Sequence, residues 1–282
     1  MTNQPIALPM APLTLDGASV LHQMFRVNWD KWFDTDEQTR HHIAHEAAGW
    51  LAEAAAAAPG RQSAAYAMLG HKGDLLLLHF RTDFTGLLAA QREFQGLRIA
   101  RCLEIKNSYL SVVELGLYES TRKLYEELGA RGLAPGTPAW DSAAEEIIDR
   151  QRKAMAVRLD PEIPPSRYLC FYPMDKKRGE TKNWYSLPFA SRQRMMHEHG
   201  MIGRKYAGIV KQVISGSIGF DDWEWGVDLF ADSPLPFKQL IYEMRFDEAS
   251  ADYALFGPFY IGLRLAGDGL ERWLAGDPAA AL

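Results

Sequence analysis

The two halves of this sequence follow the same order. Leu75-Leu76-Leu77-Leu78-His79-Phe80 is answered about 150 positions later by Trp225-Gly226-Val227-Asp228-Leu229-Phe230, and so long a period marks duplicated domains rather than a solenoid. In the first half, the apolar run Ser19 to Val27 predicts a strand. Thr35-Asp36-Glu37 then supplies a cap and an acidic first turn for a helix towards Ala57, stopped by Pro59-Gly60. Ala65 to Leu69 and Leu75 to Phe80 flank a Gly-containing turn, His71 to Asp74, as a hairpin does. A helix over Asp83 to Leu97 and a strand over Tyr109 to Leu115 complete the unit.

The second half gives strand Arg167 to Tyr172, helix Pro188 to His199, strands Lys211 to Ser215 and Trp223 to Phe230, helix Leu235 to Met244 and strand Phe256 to Leu263. The order is βαββαβ twice, which predicts an α+β fold of two ferredoxin-like domains side by side. Prolines at 135, 138, 161, 164 and 165 place the boundary between about 135 and 165, around a helical stretch Trp140 to Val157. We divide the chain into 1–150, a scaffold half, and 151–282, a binding half.

Composition narrows the function. With 282 residues, 47% of them hydrophobic, the chain can fill two cores. Its 31 basic and 36 acidic residues give a net charge of -5, which leaves no excess of cations to neutralise phosphates and excludes nucleic acid as an expected partner. No basic segment followed by an apolar run opens the chain, and no stretch approaches the ~18 apolar residues of a membrane span. A soluble, cytoplasmic protein is expected. Cys102 and Cys170 stand alone, without the spacing of a zinc knuckle or a redox pair, and read as buried thiols.

Two stretches could carry chemistry. Tyr172-Pro173-Met174-Asp175-Lys176-Lys177-Arg178-Gly179-Glu180 reads as a charged loop leaving a strand, a common place for function and equally a plain solvated connection. Met195-Met196-His197-Glu198-His199-Gly200 ends a helix, where an imidazole could ligate haem iron or simply cap the dipole. Spacing does not choose between His197 and His199. His41, His42 and His45 offer a metal-like pair one turn apart but no third ligand and no HExxH pattern, and read as a solvated face. Gly216-Ser217-Ile218-Gly219 lacks the Lys and the length of a phosphate loop and reads as a hairpin turn.

These residues resemble a known family. Cys170 to Glu180, Asn183-Trp184-Tyr185, His197 to Arg204, Gly216 to Gly226, Tyr242 to Glu248 and Phe256 to Tyr260 are similar to the coproheme decarboxylases of Gram-positive type, within the chlorite dismutase superfamily. The likeness runs from about Leu15 to Leu265 and is densest in the second half; Ser186 departs from it, standing where the family carries an apolar residue. The resemblance implies two ferredoxin-like domains of the dimeric α/β-barrel type, a homopentamer, and porphyrin in the second domain.

The implied reaction removes carbon dioxide from two propionates of Fe-coproporphyrin III, through harderohaem to haem b, with hydrogen peroxide as oxidant and coproporphyrin ferrochelatase as substrate donor. By position, His199 would be the proximal iron ligand, Gln212 the distal residue and Tyr172 the residue oxidised to a tyrosyl radical. Met174 and Lys176 would lie beside the reacting propionates, and Arg158, Arg245 and Ser250 would anchor propionates. Cations suit anionic propionates, Lys as a point charge and Arg as a bidentate fork.

Two alternatives share these features. A chlorite dismutase or general peroxidase would share the fold and His199, and of these the dismutase would place an Arg where Gln212 stands, to hold an anionic oxidant. A non-catalytic haem carrier would need the anchors but not Tyr172. Tyr185 and Tyr206 remain competing radical sites.

Overall fold

The computed structural model describes residues 7–56, 58 and 60–281; Ala57 and Pro59, invoked above as a helix end and a stop, lie outside the described residues. The first unit comprises β1 (Thr14–Val27), α1 (Trp29–Asp34), α2 (Glu37–Ala55), β2 (Arg61–Met68), β3 (Leu75–Arg81), α3 (Phe84–Gly96) and β4 (Leu103–Gly116). The connection holds α4 (Tyr118–Ala130), α5 (Pro138–Ala154) and α6 (Ala156–Leu159). The second unit comprises β5 (Tyr168–Lys176), α7 (Phe189–Lys205), β6 (Lys211–Gly216), β7 (Trp225–Ala231), α8 (Leu235–Met244), α9 (Glu248–Ala251), β8 (Ala254–Phe256) and β9 (Tyr260–Leu265), followed by α10 (Gly269–Leu274).

The signals that located these elements are physical ones. Asp36 caps α2 by accepting the Thr39 amide, and Asp83 caps α3 by accepting that of Gly86, each satisfying an amide that the first turn leaves without a partner. The Gly216–Gly219 stretch opens the β6–β7 turn, where Gly219 takes φ +87°, a left-handed value that favours glycine.

Three expectations need correction. The loop expected from Tyr172 begins only at Lys177: β5 continues through Asp175 and Lys176 because β8 pairs with them, Asp175 with Leu255 and Lys176 with Ala254. Helix α7 does not end at His199 but runs to Lys205, since no Pro or left-handed residue stops it there. The single strand over Phe256 to Leu263 is two, β8 and β9, separated at Gly257–Phe259. The two ferredoxin-like units of the expected α/β-barrel type are both present.

Their sheets are joined. The strand order is β7-β6-β4-β1-β3-β2-β9-β5-β8, and β5 also pairs with β7, so eight strands close on themselves with β8 as an appendage. The seams between units are β4–β6, pairing Val112 with Gly216, and β2–β9, pairing Ala65 with Leu265. Within each unit the orders β4-β1-β3-β2 and β6-β7-β5-β9 are those of ferredoxin-like sheets.

Alternation sorts each strand between two layers. Ala18, Val20, Met24, Leu76, Leu78, Phe80, Leu169, Phe171, Val213 and Phe230 fill the barrel interior. In the first unit the opposite face, with Phe25, Leu75 and Leu77, packs against Ile43, Leu51 and Phe94 of the helices; each such large side chain contributes roughly 1.5–3 kcal/mol on burial. Leu270 and Leu274 of α10 join that same cluster, so a segment that follows the second unit packs on the first.

One polar pair bridges the units inside the barrel. His22 of β1 and Asp228 of β7 meet at 2.8 Å, both fully buried, with the His22 ring stacked at 3.8 Å on Phe171. Gly226 beside it is required for space, because a Cβ there would lie 2.6 Å from the Tyr109 ring.

Candidate active site

The equivalent outer face of the second unit is built differently. Cys170, Tyr172 and Met174 of β5, Gln212 and Ile214 of β6, and Val227 and Leu229 of β7 point towards α7 and α8 rather than into the barrel, by the same alternation that faces Phe171 and Asp228 inward. Val210, Phe237, Leu240 and Met244 extend this into an apolar wall.

His199 stands on α7 opposite that wall, its side chain 29% exposed. Its Nδ1 lies 2.9 Å from Oδ2 of Asp247. Burial pushes the Asp247 carboxyl up, but the bonds from His199 and from the amide and hydroxyl of Ser250 outweigh it and hold the group below the usual carboxylate range. An ionised carboxylate only accepts, so Nδ1 carries the proton and Nε2 keeps its lone pair. Among the described residues nothing binds Nε2. A histidine oriented by a carboxylate through its far nitrogen is the arrangement of a metal-ligating imidazole. His197 is exposed on α7 and has no such partner among the described residues.

Asp247 was not found from the sequence. Its signal was local: it is the N-cap of α9, accepting the Ser250 amide at 2.9 Å. Glu243, near the end of α8, engages Lys205 and, at 3.2 Å, the Tyr206 hydroxyl.

Tyr172 is buried, 4% exposed, with the Phe259 ring at 4.6 Å and that of Phe256 at 5.8 Å. Burial pushes its phenol well above the ordinary value, so it stays protonated across the neutral range. Lys176, two pleats along the same face, is buried; its ammonium donates to the Ala249 carbonyl at 3.1 Å and stands 4.5 Å over the Trp184 ring. Burial pushes it down to about 8, while the Asp247 and Glu224 carboxylates pull the other way. Arg245 places its guanidinium 4.2 Å over the Phe256 ring. Neither cation has an ion pair among the described residues. Gln212 faces α7 one turn beyond His199: a Cβ built on Gly203 would lie 3.6 Å from its Nε2.

Ser250 and Arg158 complete the candidate set. The Ser250 hydroxyl is turned to Asp247, at 3.2 Å from Oδ2, and lies 3.4 Å from Nδ1 of His199, beside the histidine and its carboxylate. Arg158 is exposed on α6, which packs on β1 and β4; its guanidinium approaches Met155 Sδ, at 3.6 Å, and no hydrogen bond or ion pair among the described residues links it to the other candidates. Of the competing tyrosines, Tyr185 is bound to Glu224 at 2.7 Å and Tyr206 to Glu243. His41 and His45 are exposed beside Glu271, and no group of three metal-ligating side chains occurs among the described residues.

The residues present fit an iron porphyrin bearing carboxylates. They offer one free imidazole nitrogen, an apolar wall for a flat macrocycle and two cations that form no ion pair among the described residues. Fold and site together define a tandem ferredoxin-like barrel of the porphyrin-binding class. Residues 40–265 match the sequence model of chlorite dismutase, and the chain belongs to the chlorite dismutase family.

A coproheme decarboxylase of Staphylococcus saprophyticus is 41% identical over 95% of this chain and 100% of its own length. A solved structure described as a heme-binding protein from Thermus thermophilus superposes with TM-score 0.79 at 39% identity, covering 95% of this chain and 99% of that one. A chlorite dismutase from Candidatus Nitrospira defluvii gives 0.67 at 18% identity, covering 92% and 96%, a likeness of fold alone. The chain spans about half the length of several archaeal relatives that it also matches.

Proposed function

We propose that the protein is a coproheme decarboxylase, converting two propionates of Fe-coproporphyrin III to vinyl groups with hydrogen peroxide and yielding haem b by way of harderohaem. The observation that carries the reading is the juxtaposition of an Asp-oriented His199, a protonated Tyr172 in an apolar surround, and Lys176 without a counter-ion, in a chain 41% identical along its length to such an enzyme.

Bound there, the iron porphyrin is both substrate and cofactor and supplies the redox centre at which peroxide is reduced. His199 would hold it through Nε2, with Asp247 fixing the tautomer and ring orientation. Lys176 and Arg245 would receive carboxylates, and Met174 would flank the reacting side chain. Gln212 on the opposing strand presents an uncharged amide. A fixed cation would favour an anionic oxidant there, and its absence favours neutral peroxide over chlorite.

Tyr172 would give up its hydroxyl hydrogen, and the resulting tyrosyl radical would take a hydrogen atom from the propionate β-carbon. That carbon is then oxidised by one further electron as the carboxylate leaves. Per side chain, hydrogen peroxide and a proton are consumed, and carbon dioxide and two waters are released. Tyr172, already protonated because it is buried, can part with its hydrogen as a neutral atom without leaving a charge in the apolar wall.

The same reading assigns porphyrin to residues 151–282 and scaffold and subunit contacts to 1–150. It also assigns Arg158 and Ser250 as lesser propionate contacts, a homopentamer, a ferrochelatase as donor and a cytoplasmic setting. No helix among the described residues is long and apolar enough to cross a membrane.

The test is to titrate hydrogen peroxide into the protein loaded with Fe-coproporphyrin III and follow the porphyrin by mass spectrometry. Loss of two carboxyl groups in succession, ending at haem b, is expected. Binding without mass loss would refute decarboxylation and leave a haem carrier or another peroxidase.

A further inference from the structure

At the end of β5 the ladder changes partner. The last β7 pair is Met174 with Trp225, after which Asp175 and Lys176 have only β8. Two side chains replace the missing rungs. The Lys176 amide donates to Glu224 Oε2 at 2.9 Å, and the Glu224 amide donates to Asp175 Oδ1 at 2.7 Å. The bonds are reciprocal, each carboxylate holding the backbone of the opposite strand end. Glu224 is buried, 7% exposed.

The same Glu224 oxygen also accepts the Tyr185 hydroxyl, at 2.7 Å, and Oε1 lies 3.5 Å from Arg178 Nε. Tyr185 follows Trp184 in a single 3-10 turn, and Trp184 is the ring over which the Lys176 ammonium stands. Glu224 therefore grips both parts of one contact: the backbone that carries Lys176 and the turn that carries its aromatic platform. A charge-assisted bond to a buried carboxylate contributes more than a neutral one and leaves an unsatisfied amide if it is removed.

We propose that Glu224, with Tyr185, is a positioning residue that fixes the Lys176 ammonium for a substrate carboxylate. The inference rests on the reading of Lys176 given above and adds residues outside it. Glu224 touches neither Tyr172 nor His199 among the described contacts, so its effect should pass through Lys176 alone. Its charge also helps keep Lys176 protonated against burial.

The experiment is a double-mutant cycle on the porphyrin-loaded protein, comparing wild type, Lys176→Met, Glu224→Ala and the double variant, with Glu224→Gln as the conservative variant and peroxide-dependent turnover as the readout. Glu224→Ala should lower turnover by about tenfold, the loss of one charge-assisted bond. Glu224→Gln, whose amide oxygen can still accept from Lys176 and Tyr185, should recover most of it. In the Lys176→Met background Glu224→Ala should have almost no further effect, since residues acting through one another are not additive. Equal losses in both backgrounds would overturn the inference and leave the decarboxylase reading standing. Wild-type turnover of Lys176→Met would remove the assigned role of Lys176, and the inference with it. Should Glu224→Ala not fold, Glu224→Gln and Tyr185→Phe carry the cycle, and the same additivity criterion decides.

Discussion

Replacing Asp247 by Asn isolates what the carboxylate does for His199. The bond from Nδ1 to Oδ2 is 2.9 Å long and charge-assisted, and such bonds contribute about 1.5–3 kcal/mol. Removing the partner of a metal-ligating histidine typically costs about 10–100-fold in affinity, which corresponds to about 1.4–2.8 kcal/mol and so agrees with the bond's own worth. We therefore expect Asp247→Asn to weaken Fe-coproporphyrin III by about 10–100-fold. The assay is a titration followed by porphyrin absorbance at neutral pH. Asp247 is held below the usual carboxylate range, so its contribution is complete above the ordinary carboxylate pKa and is lost only as pH falls through the lowered value. Asn can still accept the Ser250 amide and cap α9, whereas Asp247→Ala loses the cap as well and should lower the stability of the ligand-free protein by about 1 kcal/mol more. Iron-free coproporphyrin III is the control. Because it needs no axial ligand, its affinity should hardly change. A change below about threefold for the iron form, or an equal loss for the iron-free form, would refute the argument that Asp247 acts through His199.

Three further outcomes follow from the same geometry. Tyr172→Phe should keep porphyrin binding, since the ring's apolar contacts with Phe259 and Phe256 survive, and should abolish loss of carbon dioxide in the mass assay; normal turnover would remove Tyr172 from the mechanism. Lys176 is charged only below about 8 in the substrate-free protein. The profile of kcat/KM, which reports the free enzyme, should therefore fall on the alkaline side through that value, and Lys176→Met should lose this limb. The sign for stability is opposite: with its folded pKa below the unfolded one, Lys176 binds fewer protons when folded, so the ligand-free protein should gain stability as pH rises from about 8 towards the ordinary lysine value. His22→Ala or Asp228→Asn should destabilise by about 3–5 kcal/mol in denaturant unfolding, the cost of leaving a buried partner without its mate; a change under about 1 kcal/mol would deny that the pair couples the two units.

Much of this protein was legible in its sequence because the signals are local. Hydrophobic alternation, Asp36 and Asp83 as caps, and the glycine turn after β6 need only near neighbours, and Leu235–Met244 is a helix over the limits its pattern predicts. The candidate residues of the site were named through resemblance, which transmits identity and not environment. Where local rules failed, a distant partner had intervened: β5 continues through Asp175 and Lys176 because β8, some 80 residues on, supplies its ladder.

The tertiary structure alone decided the rest. Nothing local in Val112 or Ala65 announces pairing with Gly216 or Leu265, and those two seams turn a pair of sheets into one barrel. His199 and His197 are indistinguishable by spacing; what sets His199 apart is Asp247, on the far side of α8 in sequence and 2.9 Å away in space. The bond from the Ser250 hydroxyl to that carboxylate likewise has no signature in the sequence. The sequence by itself determined the elements, their doubled order and the kinds of side chain available. Which of two equivalent sheet faces is sealed by helices, and which gathers Tyr172, Lys176 and His199, depended on contacts between residues far apart in the chain, and these exist only once it has folded.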